Sequence, residues 1–437
     1  MYYTELAQRV RSQRDVLPEV YGDFDFDRRP DRLATEPDAD SALPAWVADR
    51  EPILDDARVV ELISTTTMLG DVVADPYAAL TKTHRVSELN HMLKKACREG
   101  IEAVPEAPPE LASFIAAMEA TPAWIDVDLV REGARRERIP AALLAPFTMR
   151  GAFVATFTNT YTALPMALTG ALSGKRAARR INETSSFFAV TALPSALDRY
   201  GAGFEAAAMV RLMHSMVRYN ALKRSDKWDA ATYGLPVPQV DQMRAGMINQ
   251  YALARKALQE GRSEFTSDER AAVEFARYRN FLLGLPEELL PSQPADIIHL
   301  MHARSALLRN GFDATCEELV SGSMEAYLRP GTTLFDRCAN AVEKSSSKRM
   351  FVRTFCNGDR DVARARGVSY GPADQVRVAL TTPFIVGRFT AVSNADRIPA
   401  LRNITDAYII RLLKRRLATY GKPEFTTDAA HYTPVPF

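Results

Sequence analysis

The chain has 437 residues, 47% hydrophobic and 25% charged, with a formal net charge of +1. This is an ordinary globular composition, which excludes a disordered protein, and near-neutrality removes any global electrostatic case for a nucleic-acid partner. The length suffices for a large core or for more than one domain.

The first residues, Met1-Tyr-Tyr-Thr-Glu-Leu-Ala-Gln-Arg-Val-Arg11, hold no apolar stretch and no twin arginine. Nothing there predicts a signal peptide, and no apolar run approaches the ~20 residues of a spanning helix. Residues 18–55 are rich in Pro and Asp, so 1–55 is expected to be an N-terminal helix and an extended arm. From 56 to 437 helical periods dominate, which predicts an all-α fold in one large domain. The spacing predicts helices over 56–68, 86–99, 108–119, 127–137, 140–157, 160–173, 177–190, 201–222, 239–260, 267–283, 295–309, 314–328, 373–392 and 398–419. Pro and Gly punctuate them, at Pro122, Pro140, Gly174, Pro194, Gly234-Leu-Pro236, Pro286, Pro291 and Pro330-Gly331. Thr266 and Ser267 before Asp268 and Glu269 have the chemistry of a capped helix start. Cys97, Cys316, Cys338 and Cys356 are scattered, with no Cys-x-x-Cys and no Cys-x-x-Cys-His. A reduced, cytoplasmic protein is the natural expectation.

One helix carries the most informative pattern, Met209-Val-Arg-Leu-Met-His-Ser-Met-Val-Arg-Tyr219. Arg211, His214 and Arg218 fall on one face, because three- and four-residue steps return to the same side of a helix. Their Met- and Val-rich setting predicts burial. An imidazole between two guanidiniums would suit a group that needs one nitrogen ligand and carries negative charge, as haem does with its iron and propionates. The plainer alternative is a hydrogen-bonded core histidine, with Asp or Glu from elsewhere pairing the arginines. Upstream, Ala178-Arg-Arg-Ile-Asn-Glu-Thr-Ser-Ser-Phe-Phe188 places Arg180, Glu183 and Thr184 at i, i+3 and i+4. That face offers a cation, a carboxylate and a hydroxyl over a reactive centre, or merely a surface Arg180–Glu183 pair.

Arg180-x-x-x-Thr184, followed by His214 with arginines at −3 and +4, resembles the signature of the rubber oxygenase (latex-clearing protein) and MpaB family. Leu69-Gly-Asp-Val-Val-Ala-Asp75, Thr121-Pro-Ala-Trp-Ile-Asp126, Trp228 and Gly234-Leu-Pro-Val-Pro-Gln-Val-Asp241 resemble family stretches in the same order, over about residues 60–260. The resemblance implies an all-helical fold with a globin-like core and extra helices. It also implies non-covalent haem b with His214 as the proximal iron ligand, Arg211 and Arg218 beside the cofactor, and Arg180 and Thr184 in the distal cluster. The activity implied is an oxygenase that uses O2 to oxidise or cleave a C=C bond of an apolar unsaturated isoprenoid or lipid. Thr184 and Arg180 would stabilise oxygen as it gains negative charge, and Glu183 would remove an allylic proton. Rubber-cleaving members have Lys where this chain has Glu183, and a carboxylate where it has Leu164, so the resemblance points away from rubber itself.

Two other readings stand beside this one. Glu88-Leu-Asn-His91 and Asp296-Ile-Ile-His299, with His302 a turn on, have the spacing of a di-iron carboxylate bundle. A non-catalytic helical binding or scaffold protein would also fit a helical chain that has lost the family's chemistry at Glu183. The last helix is basic and amphipathic over Tyr408–Leu417, which suits either core packing or peripheral contact with a membrane surface.

Overall fold

The computed structural model describes residues 1–47, 49–169 and 175–421. Gly174 and the end of the helix expected over 160–173 lie outside them. Every regular element among the described residues is a helix, without a strand; the only β pairing among them is two isolated bridges, Leu33 with Leu308 and Ser41 with Arg309. Among them no single helix is long and apolar enough to cross a membrane. The chain forms two compact units. Of the described residues, the first comprises Met1–Gly133 and Leu197–Gly311, and the second comprises Ala134–Ala196 and those from Phe312 onward.

In the first unit the N-terminal arm is laced onto the body by its backbone. Asp31 and Arg32 donate to the carbonyls of Ala231 and Thr232, and Ala34 donates to that of Leu307. Arg32 is fully buried and meets Asp241, which also takes Arg304. Two guanidiniums therefore share one carboxylate and bind the arm to the segment around 241. The helix Ser267–Leu282 starts as its sequence predicts. Thr266 and Glu269 form a reciprocal capping box, with Arg262 on the Glu269 carboxylate.

In the second unit the helix Leu334–Phe355 packs on Ala145–Val154. Arg150 is buried in that contact. Its guanidinium donates to both oxygens of Glu343 and to the carbonyls of Ser323, Met324 and Ala326, which end the helix Ala314–Glu325. Gly151 permits the close approach, since a Cβ there would lie 2.6 Å from the Ser347 carbonyl oxygen.

Among the differences from the expected helices, three stand out. The break expected at Pro140 falls instead at Leu144, because Pro140 is accommodated within Val127–Leu143 while Pro146 starts the next helix at one of its first two positions. The segment expected as one helix over 239–260 breaks at Met247. The helix Leu334–Phe355 has no counterpart among the expected elements. Its inward positions include Asn340, Glu343, Ser345, Ser347 and Lys348, so the apolar period that marks a buried helix is missing.

All four cysteines are free, and Cys97, Cys316 and Cys356 are buried. Burial pushes the Cys97 thiol up to about 12 and the Cys316 thiol to about 11, so neither is a thiolate at neutral pH.

The capping box generates a stability prediction. Burial works against the Glu269 charge, but hydrogen bonds from Arg262 and Thr266 hold its carboxyl at about 2, well below its ordinary value. A depressed carboxyl stabilises the fold above its unfolded value and loses that contribution as pH falls through its folded value. Glu269→Gln is expected to cost about 1 kcal/mol at neutral pH. In urea titrations the gap to the parent should close as pH falls from about 4.5 towards about 2.

Candidate functional site

In the first unit, His214 lies on the helix Ala202–Arg224, and a short loop ahead of the helix Ala74–Ala79 packs against that helix. The loop carries Asp71, whose Oδ1 accepts from the backbone of Val73 (3.2 Å) and Ala74 (3.1 Å). Arg211 reaches the same carboxylate with two nitrogens, Nη2 at 2.9 Å and Nε on the other oxygen. One helical turn beyond His214, Arg218 donates to Asp75 Oδ1 and to the carbonyls of Pro236 (3.1 Å) and Val237 (2.7 Å). Tyr21 and the Asp71 N–H donate to the second oxygen of Asp75, at 2.6 and 2.9 Å. All four charged side chains are buried. The negative charge that pairs with Arg211 and Arg218 is thus the chain's own, the second of the two sources that the sequence left open. A guanidinium buried this deeply needs its counter-charge whether or not anything is bound.

Burial pushes both carboxyls up. At Asp71 the Arg211 guanidinium and the Ala74 N–H outweigh burial and hold the carboxyl below its ordinary value. Burial and the charge on Asp75 push the Tyr21 hydroxyl well above its own, so it remains a donor. Gly70 has no side chain because there is no room for one. A Cβ there would lie 2.6 Å from Asp75 Oδ2 and 2.9 Å from the Tyr21 oxygen.

The ion pairs fix the loop, and the loop fixes the imidazole. The Gly70 carbonyl oxygen can only accept, and Gln239 Nε2 donates to it at 2.9 Å. Gln239 Oε1 is then left to accept from Gln242 Nε2 at 3.0 Å. That turns Gln242 Oε1 towards His214 Nδ1, 2.9 Å away. An amide oxygen cannot donate, so Nδ1 carries the hydrogen, and in the neutral ring Nε2 is the unprotonated nitrogen. Gln239 is fully buried and Gln242 nearly so. Sequence analysis identified neither glutamine as a site residue. The only available signal was their position in the segment after the histidine helix, at i and i+3 of Gln239–Gly246.

In the second unit, the helix Lys175–Thr191 carries Arg180, Glu183 and Thr184 on one face, as their spacing predicts. Glu183 accepts from Arg180 Nη1 at 3.1 Å and from Arg179 Nε at 3.2 Å. The Arg180 and Glu183 side chains are only 15% and 10% exposed, so theirs is not a solvated surface pair. Arg179, the second partner, is a residue that the sequence reading passed over. Thr184 is partly buried beside them.

Other residues of the quoted stretches do structural work. The Arg277 guanidinium lies over the Trp124 ring at 4.1 Å. Asp126 caps the next helix through the N–H groups of Asp128 and Leu129. Trp228 donates to the Gly234 carbonyl at 2.9 Å. The di-iron spacing does not assemble into a site. Glu88 accepts from the Arg85 backbone, His91 is exposed, His299 pairs with Asp56 and His302 with Tyr251. Among the described residues, no group of three or more His, Cys, Asp or Glu side chains is placed to hold a metal ion.

A family model described as "ER-bound oxygenase mpaB/B'/Rubber oxygenase, catalytic domain" matches residues 141–386, more than half of the chain. The match contains Arg180, Glu183, Thr184, Arg211, His214 and Arg218, and leaves out the stretches at 69–75 and 121–126. A solved structure described as latex clearing protein in the closed state is similar in fold, with a TM-score of 0.55 at 18% identity. The similarity covers 81% of this chain and 91% of that one. No match is found among curated proteins.

The amide chain makes a prediction that needs no bound cofactor. With 15N-labelled histidine at mildly alkaline pH, His214 should show a protonated Nδ1 and an unprotonated Nε2, its signals being assigned by their loss in His214→Ala. Gln239→Leu removes the group that orients Gln242 and should give a mixture of the two tautomers. A parent protein with the hydrogen on Nε2 would contradict the arrangement.

Proposed function

Because the chain belongs to the rubber oxygenase and mpaB oxygenase catalytic-domain family, we propose that it is a haem-b-dependent oxygenase acting with O2 on a C=C bond of an apolar unsaturated substrate. The substrate class is an isoprenoid or another unsaturated lipid, oxidised or cleaved to carbonyl products. The observation that carries this reading is the hydrogen bond between His214 Nδ1 and Gln242 Oε1. A neutral imidazole held through one nitrogen, with a lone pair on the other, is the donor that a haem iron takes from a protein. The donor set therefore fits the group.

Haem, when bound, supplies the iron centre at which dioxygen is activated. The chain's own residues do the rest. His214 would hold the haem iron through Nε2. Arg211 and Arg218 serve it indirectly, by tying the helix that carries it to Asp71 and Asp75. Arg180 and Thr184 would offer hydrogen-bond donors to dioxygen held there. Glu183 would be the base placed to take an allylic proton of the substrate. Attachment is non-covalent, since no cysteine stands in a Cys-x-x-Cys-His sequence.

Purified protein should carry haem b, released intact and quantified as its pyridine haemochrome. His214→Ala should abolish haem retention, whereas His91→Ala and His299→Ala should keep it. A protein that stays colourless after haem reconstitution would end the oxygenase reading and leave a helical binding protein in its place.

Glu183→Gln is nearly isosteric. It should keep haem and fold while lowering turnover by about 10²–10⁴-fold, the usual worth of a general base. Oxygen uptake over a panel of unsaturated lipids and short isoprenoids supplies the assay. Unchanged turnover with an unchanged haem spectrum would remove Glu183 from the chemistry.

A further inference from the structure

The second unit ends in a helical hairpin, Pro372–Arg397 followed by Pro399–Tyr420. Its inner side is a core: Phe389, Val392 and Leu412 pack against a cluster that includes Ile409 and Leu413. The stretch 408–417 thus buries its main apolar residues, and a different row of apolar side chains faces outward. Val376, Leu380 and Phe384 step by four residues along the first helix, and Leu380 and Phe384 are 66% and 79% exposed. On the second helix Leu401, Ile404 and Tyr408 form a matching exposed row, with Ile404 at 68%. Arg388 joins the two rows, donating to the Tyr408 hydroxyl and lying 5.8 Å from the centre of its ring.

Charge on the hairpin is sorted in the same way. Its three acids are held within their own unit: Asp374 by Ser345 at 2.7 Å, Asp396 by Arg135 at 2.7 Å and Asp406 by Arg138 at 2.7 Å. The exposed ionisable residues are Arg377, Arg388, Arg397, Arg402, Arg411, Lys414 and Arg415, all of them basic. On a chain of net charge +1 this is a local excess.

We propose that this hairpin face docks onto an anionic lipid bilayer. The apolar rows enter the boundary between headgroups and acyl chains, and the arginines meet the lipid phosphates. Charge decides for this occupant over a second copy of the chain. Two copies face to face would bring together two sets of like charges, whereas an anionic headgroup layer complements every one of them. The proposal stands apart from the haem reading, because it uses none of the residues assigned there.

The test is co-sedimentation of the full chain with vesicles of phosphatidylcholine alone and of phosphatidylcholine with phosphatidylserine. The chain should sediment with the anionic vesicles and be released by added salt. Leu380→Ser/Phe384→Ser and Arg411→Ser/Lys414→Ser/Arg415→Ser should each weaken binding at least about ten-fold, with far-UV circular dichroism unchanged. The proposal is overturned if the parent chain ignores anionic vesicles, or if both variants bind as the parent does. Light scattering that shows a dimer lost in Leu380→Ser/Phe384→Ser, without lipid binding by the parent, would make the face a self-association surface instead.

Discussion

Two buried guanidiniums on one helix organise the first unit. Arg211 and Arg218 sit a turn to either side of His214 and are taken up by Asp71 and Asp75. Leaving either charge unpaired at this depth would cost several kcal/mol, so the loop with Asp71 and the helix start with Asp75 have one acceptable position. Tyr21, Gly70 and the carbonyls of Pro236 and Val237 close around the same charges. The loop in turn presents the Gly70 carbonyl, from which two amides pass a fixed hydrogen-bond direction to the imidazole. Charge pairing thus sets the backbone, and the backbone sets which ring nitrogen faces Gln242.

The second unit uses the same interaction in two ways. Arg150 is wholly buried, and its donors go to Glu343 and to the carbonyls that end a helix, which makes it a fixed structural post. The Arg179–Glu183–Arg180 group lies along one helix and is less deeply buried. The two guanidiniums keep the Glu183 carboxylate oriented. Such a group can take part in chemistry, whereas Arg150 cannot be moved without uncapping a helix.

Family membership sets the reaction class, and the solved structure at 18% identity supports the shared fold alone. What this chain adds is its own positioning of the candidate ligand. The arginines beside His214 act through the helix they hold, and Gln242 acts on the ring itself. Under the proposed function, substrate chemistry rests on the helix Lys175–Thr191, whose Glu183 is the departure from the rubber-cleaving pattern.

Helical class, most helix positions and the capping box at Thr266 were legible from periodicity and local chemistry, because those depend on residues within a few positions of one another. The common faces of Arg211, His214 and Arg218, and of Arg180, Glu183 and Thr184, follow from helical geometry alone. The helix Leu334–Phe355 was not legible, since its buried face mixes Phe351 and Val352 with Asn, Glu, Ser and Lys that are paired by residues outside the helix. The same holds for the partners of Arg211 and Arg218. The aspartates are visible in Gly70-Asp-Val-Val-Ala-Asp75, but nothing local says that they lie against a helix some 140 residues later. The amide chain was hidden for a further reason: a glutamine looks alike in sequence whether it faces solvent or relays a hydrogen bond. The sequence determined which residues could serve as ligand, base and counter-charge. Only tertiary packing decided which carboxylate met which guanidinium, and through that pairing which nitrogen of His214 donates to Gln242.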